Sequence, residues 1–355
     1  MDIATQNLIF SVLKVALVIK VLLLGVTMVI LAERRFSAFM QDRLGPNRTF
    51  YGGLGQSFAD GIKLILKEDV IPTHVDKLTY MIAPIVMMTP ALMTGAVIPF
   101  GPTIPIAGIS LPFIGENLTP LVLQVADINV GLLYFVAIAS IGVYGIVMGG
   151  WAQNNKYSLL GALRASAQMV SYELPMGLAL VTVVLMSGSL SMNEIVAHQQ
   201  ETFWYVLNFP AFMIFLITIF AETNRLPFDL AECEQELVAG YHTEYSSMKF
   251  GMFLLAEYGN IITSSALVVT LFFGGWDIPF VDESALGLFG VILSMSVFGL
   301  KTSIFIFIFI WVRWSLPRFR YDQLMNVSWK GILPLSILTV VGTAVIMVLL
   351  KNFYH

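Results

Sequence analysis

Eight stretches of this chain are long and apolar enough to cross a lipid bilayer, and they leave it little freedom to fold as anything else. A spanning helix needs about 20 mostly apolar residues, and the runs at about 8–32, 80–100, 128–149, 165–187, 204–221, 250–273, 286–311 and 332–350 meet that requirement. The fifth is the shortest, and the second carries Pro84 and Pro90, which neighbouring helices accommodate in a membrane. Only 12% of residues are charged, about half the ~25% of a soluble domain. The 355 residues therefore predict one all-α polytopic membrane domain, 1–355, with short helices in its cytoplasmic loops. The first run ends in Glu33-Arg34-Arg35, not in a small-residue cleavage site, so a cleaved signal is not expected.

The charges orient the spans. Loops on one side, from Arg34 to Lys330, hold 15 of the 19 lysines and arginines, while the opposite loops, roughly 101–127, 188–203 and 274–285, hold none. Basic loops stay on the cytoplasmic side, so eight crossings place both termini outside. One loop segment, 54–67, is too short and too charged to span. On a helix its Leu54, Phe58, Ile62 and Ile65 fall within about 80° of one another, with Asp60, Lys63 and Lys67 opposite. That pattern predicts an amphipathic helix lying at the cytoplasmic interface, or packed on protein.

Several functions are excluded at this level. Cys233 is the only cysteine, so an intrachain disulfide is impossible and an iron–sulfur cluster, usually held by four thiolates, cannot be ligated by this chain alone. His74, His198, His242 and His355 lack paired ligand spacing, and neither a P-loop nor a GxGxxG motif is present. We expect no NAD, FMN or iron–sulfur cluster on this chain, and no nucleic-acid partner.

What remains distinctive is acid. From Glu222 to Glu257 the chain carries Glu222, Asp229, Glu232, Glu234, Glu236, Glu244 and Glu257, opposed only by Arg225 and Lys249. Glu173 lies inside the fourth span beside Pro175, which frees the carbonyl of Ser171. Glu222 ends the fifth span, Glu257 lies inside the sixth, Asp127 opens the third on the outer side, and Lys20 and Lys301 sit near the middles of the first and seventh. Ionisable groups at such positions are costly and mark functional sites by default, although acid–lysine pairs that merely hold a bundle together give the same pattern. Carboxylates crowded in low dielectric cannot all ionise, and groups tuned that way carry protons. Asp229, Glu232 and Glu236 are spaced to share one helix face, whereas Pro227 interrupts any helix reaching back to Glu222. Bracketed by Glu222 and Glu257, the loop reads as an acidic funnel into the membrane, in preference to a solvated face.

ETNRLPFDLAE, ELVAGYHTEYSSMKF and AEYGN resemble the membrane-embedded H subunit of the proton-pumping NADH:quinone oxidoreductases, respiratory complex I, whose mitochondrial counterpart is NADH dehydrogenase subunit 1. The resemblance runs nearly the full chain, through Arg43-Leu-Gly-Pro-Asn47, Gln56-Ser-Phe-Ala-Asp60-Gly-Ile-Lys63, Gly150-Trp-Ala, Gly161-Ala-Leu-Arg164, Ser171-Tyr-Glu173 and Pro317-Arg-Phe-Arg-Tyr-Asp-Gln-Leu324. It is closer to bacterial members, which implies a bacterial inner membrane. It also implies a quinone, ubiquinone or menaquinone, as substrate. The partners it implies are the peripheral-arm subunit with the terminal iron–sulfur cluster, its quinone-site neighbour, and the small and antiporter-like membrane subunits. Carried over residue by residue, the quinone chamber takes Arg34, Phe58, Asp60, Arg225, Asp229, Glu232, Glu234 and Tyr258. The proton path takes Glu173, Glu222, Glu236, Glu244, Glu257, Lys301 and Asp127. Ser57 departs from the family pattern, where proline is common, and Lys20 has no role that the family supplies. Three rival readings fit the residues: the equivalent subunit of a hydrogenase, formate-, ferredoxin- or deazaflavin-dependent complex; a freestanding cation/proton transporter; and a structural anchor for a soluble enzyme.

Overall fold

The computed structural model describes residues 3–102, 123–231, 234–279 and 287–353, and every regular element among them is helical. In order these are α1 (Ile3–Met40), α2 (Phe50–Gly53), α3 (Gln56–Leu66), α4 (Lys77–Met93), α5 (Gly131–Ala152), α6 (Lys156–Ser187), α7 (Met192–Glu201), α8 (Phe209–Glu222), α9 (Glu234–Leu237), α10 (Ser247–Phe272), α11 (Gly287–Ser315), α12 (Tyr321–Asn326) and α13 (Leu333–Phe353). A π-helical stretch, Val327–Ile332, joins α12 to α13.

Among the described residues seven spans are long and apolar enough to cross a bilayer, α12 and α13 forming one of them. The expected fifth run, 204–221, is the exception. Its helix begins only at Phe209 because Pro210 stands in the first turn, where its ring and missing N–H bar extension upstream. The 14 residues of α8 span about 21 Å at 1.5 Å per residue. That is short of the ~30 Å hydrocarbon core. Other spans run longer than their apolar runs: α6 starts at Lys156, not at 165, because the Asn155 side chain accepts from Tyr157 N at 3.0 Å and caps it.

Helix α10 is the most enclosed of the spans, packed by α1, α4 and α11, while α1, α11 and α13 lie at the periphery. Proline in a membrane helix frees a carbonyl that another group must satisfy. The Tyr80 carbonyl, four residues before Pro84, accepts the Tyr245 hydroxyl at 3.1 Å. The Ser171 carbonyl, four residues before Pro175, accepts the Ser328 hydroxyl at 3.0 Å. Both helix defects are thus used as joints, one to the acidic loop and one to the π-helical stretch.

Small residues set the closest approaches. A Cβ on Gly145 would lie 2.8 Å from the Met87 backbone nitrogen, whereas one on Gly142 of the same helix meets nothing within 4 Å. Gly145→Val should therefore force α4 and α5 apart at a cost of about 1–3 kcal/mol, seen as a lower melting temperature of the purified complex. Gly142→Ala should melt like the parent; equal losses in both variants would contradict this packing.

Candidate functional site

The acidic stretch is a docked loop, not a helix. Residues 223–231 turn irregularly after α8, with Asn224 at φ 50°, and α9 is a single turn. Asp229 therefore lies outside any helix, and the helical face expected to run on from it is not formed at that residue. Buried Gln168 on α6 holds the turn from below, its Nε2 donating to the carbonyls of Ala221 at 2.8 Å and Phe228 at 2.6 Å. Asp229 accepts from Arg318 at 2.8 Å, and Glu236 pairs with Arg164 at 2.7 Å. Glu232 lies outside the described residues, as does the structure around Cys233; the backbone of Glu234 opens α9.

Further along, Glu244 is fixed three ways. Its carboxylate accepts from Asn155 at 3.0 Å, its N–H donates to Gln153 Oε1 at 3.0 Å, and its carbonyl accepts the Tyr80 hydroxyl at 2.7 Å. Tyr80 and Tyr245 stack at 4.2 Å, and the Tyr245 hydroxyl donates to the Tyr80 carbonyl while the Tyr80 hydroxyl donates to that of Glu244, tying α4 to the loop. Gly240 approaches Gly161 so closely that a Cβ on Gly161 would sit 2.8 Å from the Gly240 Cα.

At the centre lies Arg225, with a side chain 4% exposed. Its Nε stands 2.7 Å from Glu257 Oε1, and its Nη1 stands 3.5 Å from Glu33 Oε2. The guanidinium covers the Tyr258 ring at 4.2 Å. Glu33, from the end of α1, is also bonded by Arg313 of α11. Arg313, Glu33, Arg225 and Glu257 thus form a chain of alternating charge linking three spans and the loop. Burial disfavours a charged arginine, but Glu257, Tyr258 and Glu33 outweigh it and hold the Arg225 pKa above its ordinary value.

Beyond Glu257 the polar path continues inward. A cavity lined by Glu257, Glu222, Asn224, Asn260 and Tyr241 has room for a water molecule. A second, lined by Glu222, Asn260, Thr94, Thr263 and Ser264 and otherwise by apolar side chains such as Phe135, Met176 and Leu267, has similar room. Glu222 and Asn260 border both. The Glu222 Oε2 is buried and has no hydrogen-bond partner among the described residues, an arrangement that a bound water would satisfy. Glu173 lies within electrostatic range of Glu222, and its Oε1 is likewise buried with no hydrogen-bond partner among the described residues.

Other expected site residues fall elsewhere. Arg34 bonds Asp60, which also accepts from Gln56 at 3.2 Å, so α1 and α3 are clasped at the loop end of α1. Phe58 is exposed on α3. Asp127 is exposed before α5 and accepts from Asn193 at 3.1 Å. Lys301 donates to the carbonyls of Phe273, Gly275 and Asp277 at 2.9, 3.1 and 2.7 Å and lies 4.3 Å from the Trp204 ring centre. It therefore caps the end of α10, where the helix dipole favours a cation. Sixteen residues of helix separate Phe273 from Glu257, about 24 Å at 1.5 Å each. Lys301 is thus not beside that carboxylate, as a simple acid–lysine pair requires. Lys20 is exposed on α1.

Sequence reasoning missed Glu33, Arg313, Arg318 and Arg164 as members of the site. The charge of the arginines served there only to orient the spans, and Glu33 only marked the end of the first apolar run. The usable signal was that Glu33 is an acid at the very end of an apolar run, the same feature that singled out Glu222.

Fold and site together define a class: a membrane protein that is helical throughout its described residues and holds buried carboxylate–arginine pairs. A family model described as NADH dehydrogenase matches residues 13–344. An NADH-quinone oxidoreductase H subunit of Cytophaga hutchinsonii is 50% identical over 314 residues, 88% of this chain and 89% of that protein. The H subunit of the Leptospira biflexa NADH-quinone oxidoreductase is 49% identical over 335 residues, 94% of this chain and 93% of its own length. An H subunit of the Koribacter versatilis NADH-quinone oxidoreductase is 50% identical over 347 residues, 96% and 98% of the two chains. The chain belongs to the family of NADH-quinone oxidoreductase H subunits.

Removing Arg225 takes from buried Glu257 its arginine and from Glu33 one of two, which costs about 3–5 kcal/mol. Arg225→Met should abolish recovery of intact complex on native gels. Arg225→Lys, which keeps the charge but loses the planar fork, should recover part of it. An Arg225→Met complex that assembles and melts like the parent would contradict the central role of this residue.

Proposed function

We propose that this chain walls the quinone chamber of a proton-translocating NADH:quinone oxidoreductase and converts quinone reduction into a charge shift within the membrane. The observation that carries the proposal is Arg225, buried between Glu33 and Glu257 at the point where the docked loop meets the water-sized cavities around Glu222. Arg34, Phe58, Asp60, Asp229, Glu232, Glu234 and Tyr258 form the chamber side together with Arg225. Glu257, Glu222 and Glu173 form the path inward, with Glu236 and Glu244 at its loop end and Lys301 and Asp127 towards its outer end.

The quinone, ubiquinone or menaquinone, is the substrate. Electrons reach it from the partner subunit bearing the terminal iron–sulfur cluster, and this chain holds no NAD, FMN or cluster of its own. The single cysteine and the absence of a nucleotide-binding motif support that assignment. The remaining partners are the quinone-site neighbour and the small and antiporter-like membrane subunits. We read α8 as a short eighth crossing, which places both termini on the periplasmic side of a bacterial inner membrane and the basic loops in the cytoplasm. As an interfacial helix, α3 would expose its apolar residues to lipid and its charged ones to the loop side.

In this reading a negative charge appearing on bound quinone draws on Arg225, the buried cation within the chain. Glu257 then loses part of its counter-charge and takes a proton through the cavity it shares with Glu222. Rearrangement of the pairs on quinol release drives the proton onward. The test is Glu257→Gln in the assembled complex, where quinone-linked proton translocation should fall at least about tenfold, a barrier change of ~1.4 kcal/mol. Exposed Glu236→Gln should have a smaller effect. If both variants reduce quinone and pump at the parental rate, the proposed charge path is wrong.

A further inference from the structure

Helix α3 is fastened to the rest of the chain by polar contacts at three points. None of its residues is buried, and Phe58, Ile62, Ile65 and Leu66 are all exposed. At its C-terminal end Ser247 donates to the carbonyls of Leu64 and Lys67 at 3.0 and 2.9 Å. In its middle Asp60 meets Arg34. At its N-terminal turn Ser57 Oγ donates to the Thr27 carbonyl of α1 at 2.8 Å.

These contacts differ in stiffness. An arginine–carboxylate pair uses a long side chain and tolerates movement of the backbones. A serine hydroxyl sits one carbon from its backbone, so its bond to a main-chain carbonyl fixes the separation of the two helices. Thr27 also lies seven residues before Arg34, about 10 Å further along α1. Ser57 therefore pins the turn that carries Phe58 deeper along α1 than the ion pair does. The Thr27 carbonyl is within the apolar run, where a lost hydrogen bond has no water to replace it.

We propose that Ser57 is a positioning residue for the substrate: its hydroxyl sets the clearance between α1 and α3, and so the shape of the apolar passage past Phe58 through which a long-tailed quinone reaches the chamber. This rests on the quinone-chamber reading given above. The ligand class it acts on is a lipid-soluble quinone with an isoprenoid tail. Ser57 does not touch the redox head group.

The experiment uses the intact complex in lipid nanodiscs carrying Ser57→Ala, Ser57→Thr or Asp60→Asn. Ser57→Ala should raise KM for a long-tailed quinone about threefold to tenfold, the range that loss of one hydrogen bond produces, with kcat unchanged. KM for a tail-less quinone analogue should not move. Ser57→Thr, which keeps the hydroxyl, should restore the parental KM. Hydrogen–deuterium exchange across 56–66 should quicken in Ser57→Ala alone. Asp60→Asn reports on the chamber reading itself, and unchanged quinone kinetics there would overturn that reading and this proposal with it. If Asp60→Asn alters the kinetics and Ser57→Ala does not, only the positioning role of Ser57 fails. A fall in kcat, or an equal effect on both quinones, would likewise overturn it.

Discussion

The structure depends on keeping one guanidinium out of water. Buried Arg225 is tolerable only because Glu257 and Glu33 flank it, and Glu33 is tolerable beside it because Arg313 approaches from α11. Taking charges out of water costs several kcal/mol per ion and is repaid only by good geometry. The alternation from Arg313 to Glu257 leaves the set with no net charge. A set balanced in this way responds to any new charge placed near it, because screening by water is weak there.

That requirement explains the architecture around it. The partners arrive on α1, α10 and α11, so these spans must converge, and Arg225 itself must leave the end of α8 in a tight irregular turn. Gln168 stabilises that turn by bonding the carbonyls of Ala221 and Phe228. Tyr80 and Tyr245 then tie the far end of the loop to α4 at the carbonyl that Pro84 leaves free. Irregular backbone at this depth is possible where protein groups satisfy it. The prolines that weaken α4 and α6 as helices are therefore what attach the loop and the π-helical stretch to them.

How far the sequence led depended on the physics behind each signal. Long apolar runs follow from bilayer thickness, so seven spans were legible, whereas the start of α8 was not, because 204–221 is apolar well before Pro210 permits a helix to begin. Pro175 correctly pointed to a free Ser171 carbonyl. It did not indicate that Ser328, 157 residues later, would occupy it, because such pairings are set by tertiary packing. The acidic residues were found by their improbability in a greasy chain. Their partners were not, since Glu33, Arg164, Arg313 and Arg318 lie in segments where charge is expected. Nor did the sequence indicate that Lys301 reaches the backbone carbonyls at the end of α10, again a contact set by tertiary packing.

The central claim is that Glu33 and Glu257 act as one unit through Arg225. A double-mutant cycle on Glu33→Gln and Glu257→Gln, read as quinone-driven proton translocation by the assembled complex, measures that directly. The account predicts strong coupling, with the double variant losing much less than the two single losses combined, by about 1–3 kcal/mol. Additive losses would mean that the two carboxylates act independently, and would contradict it.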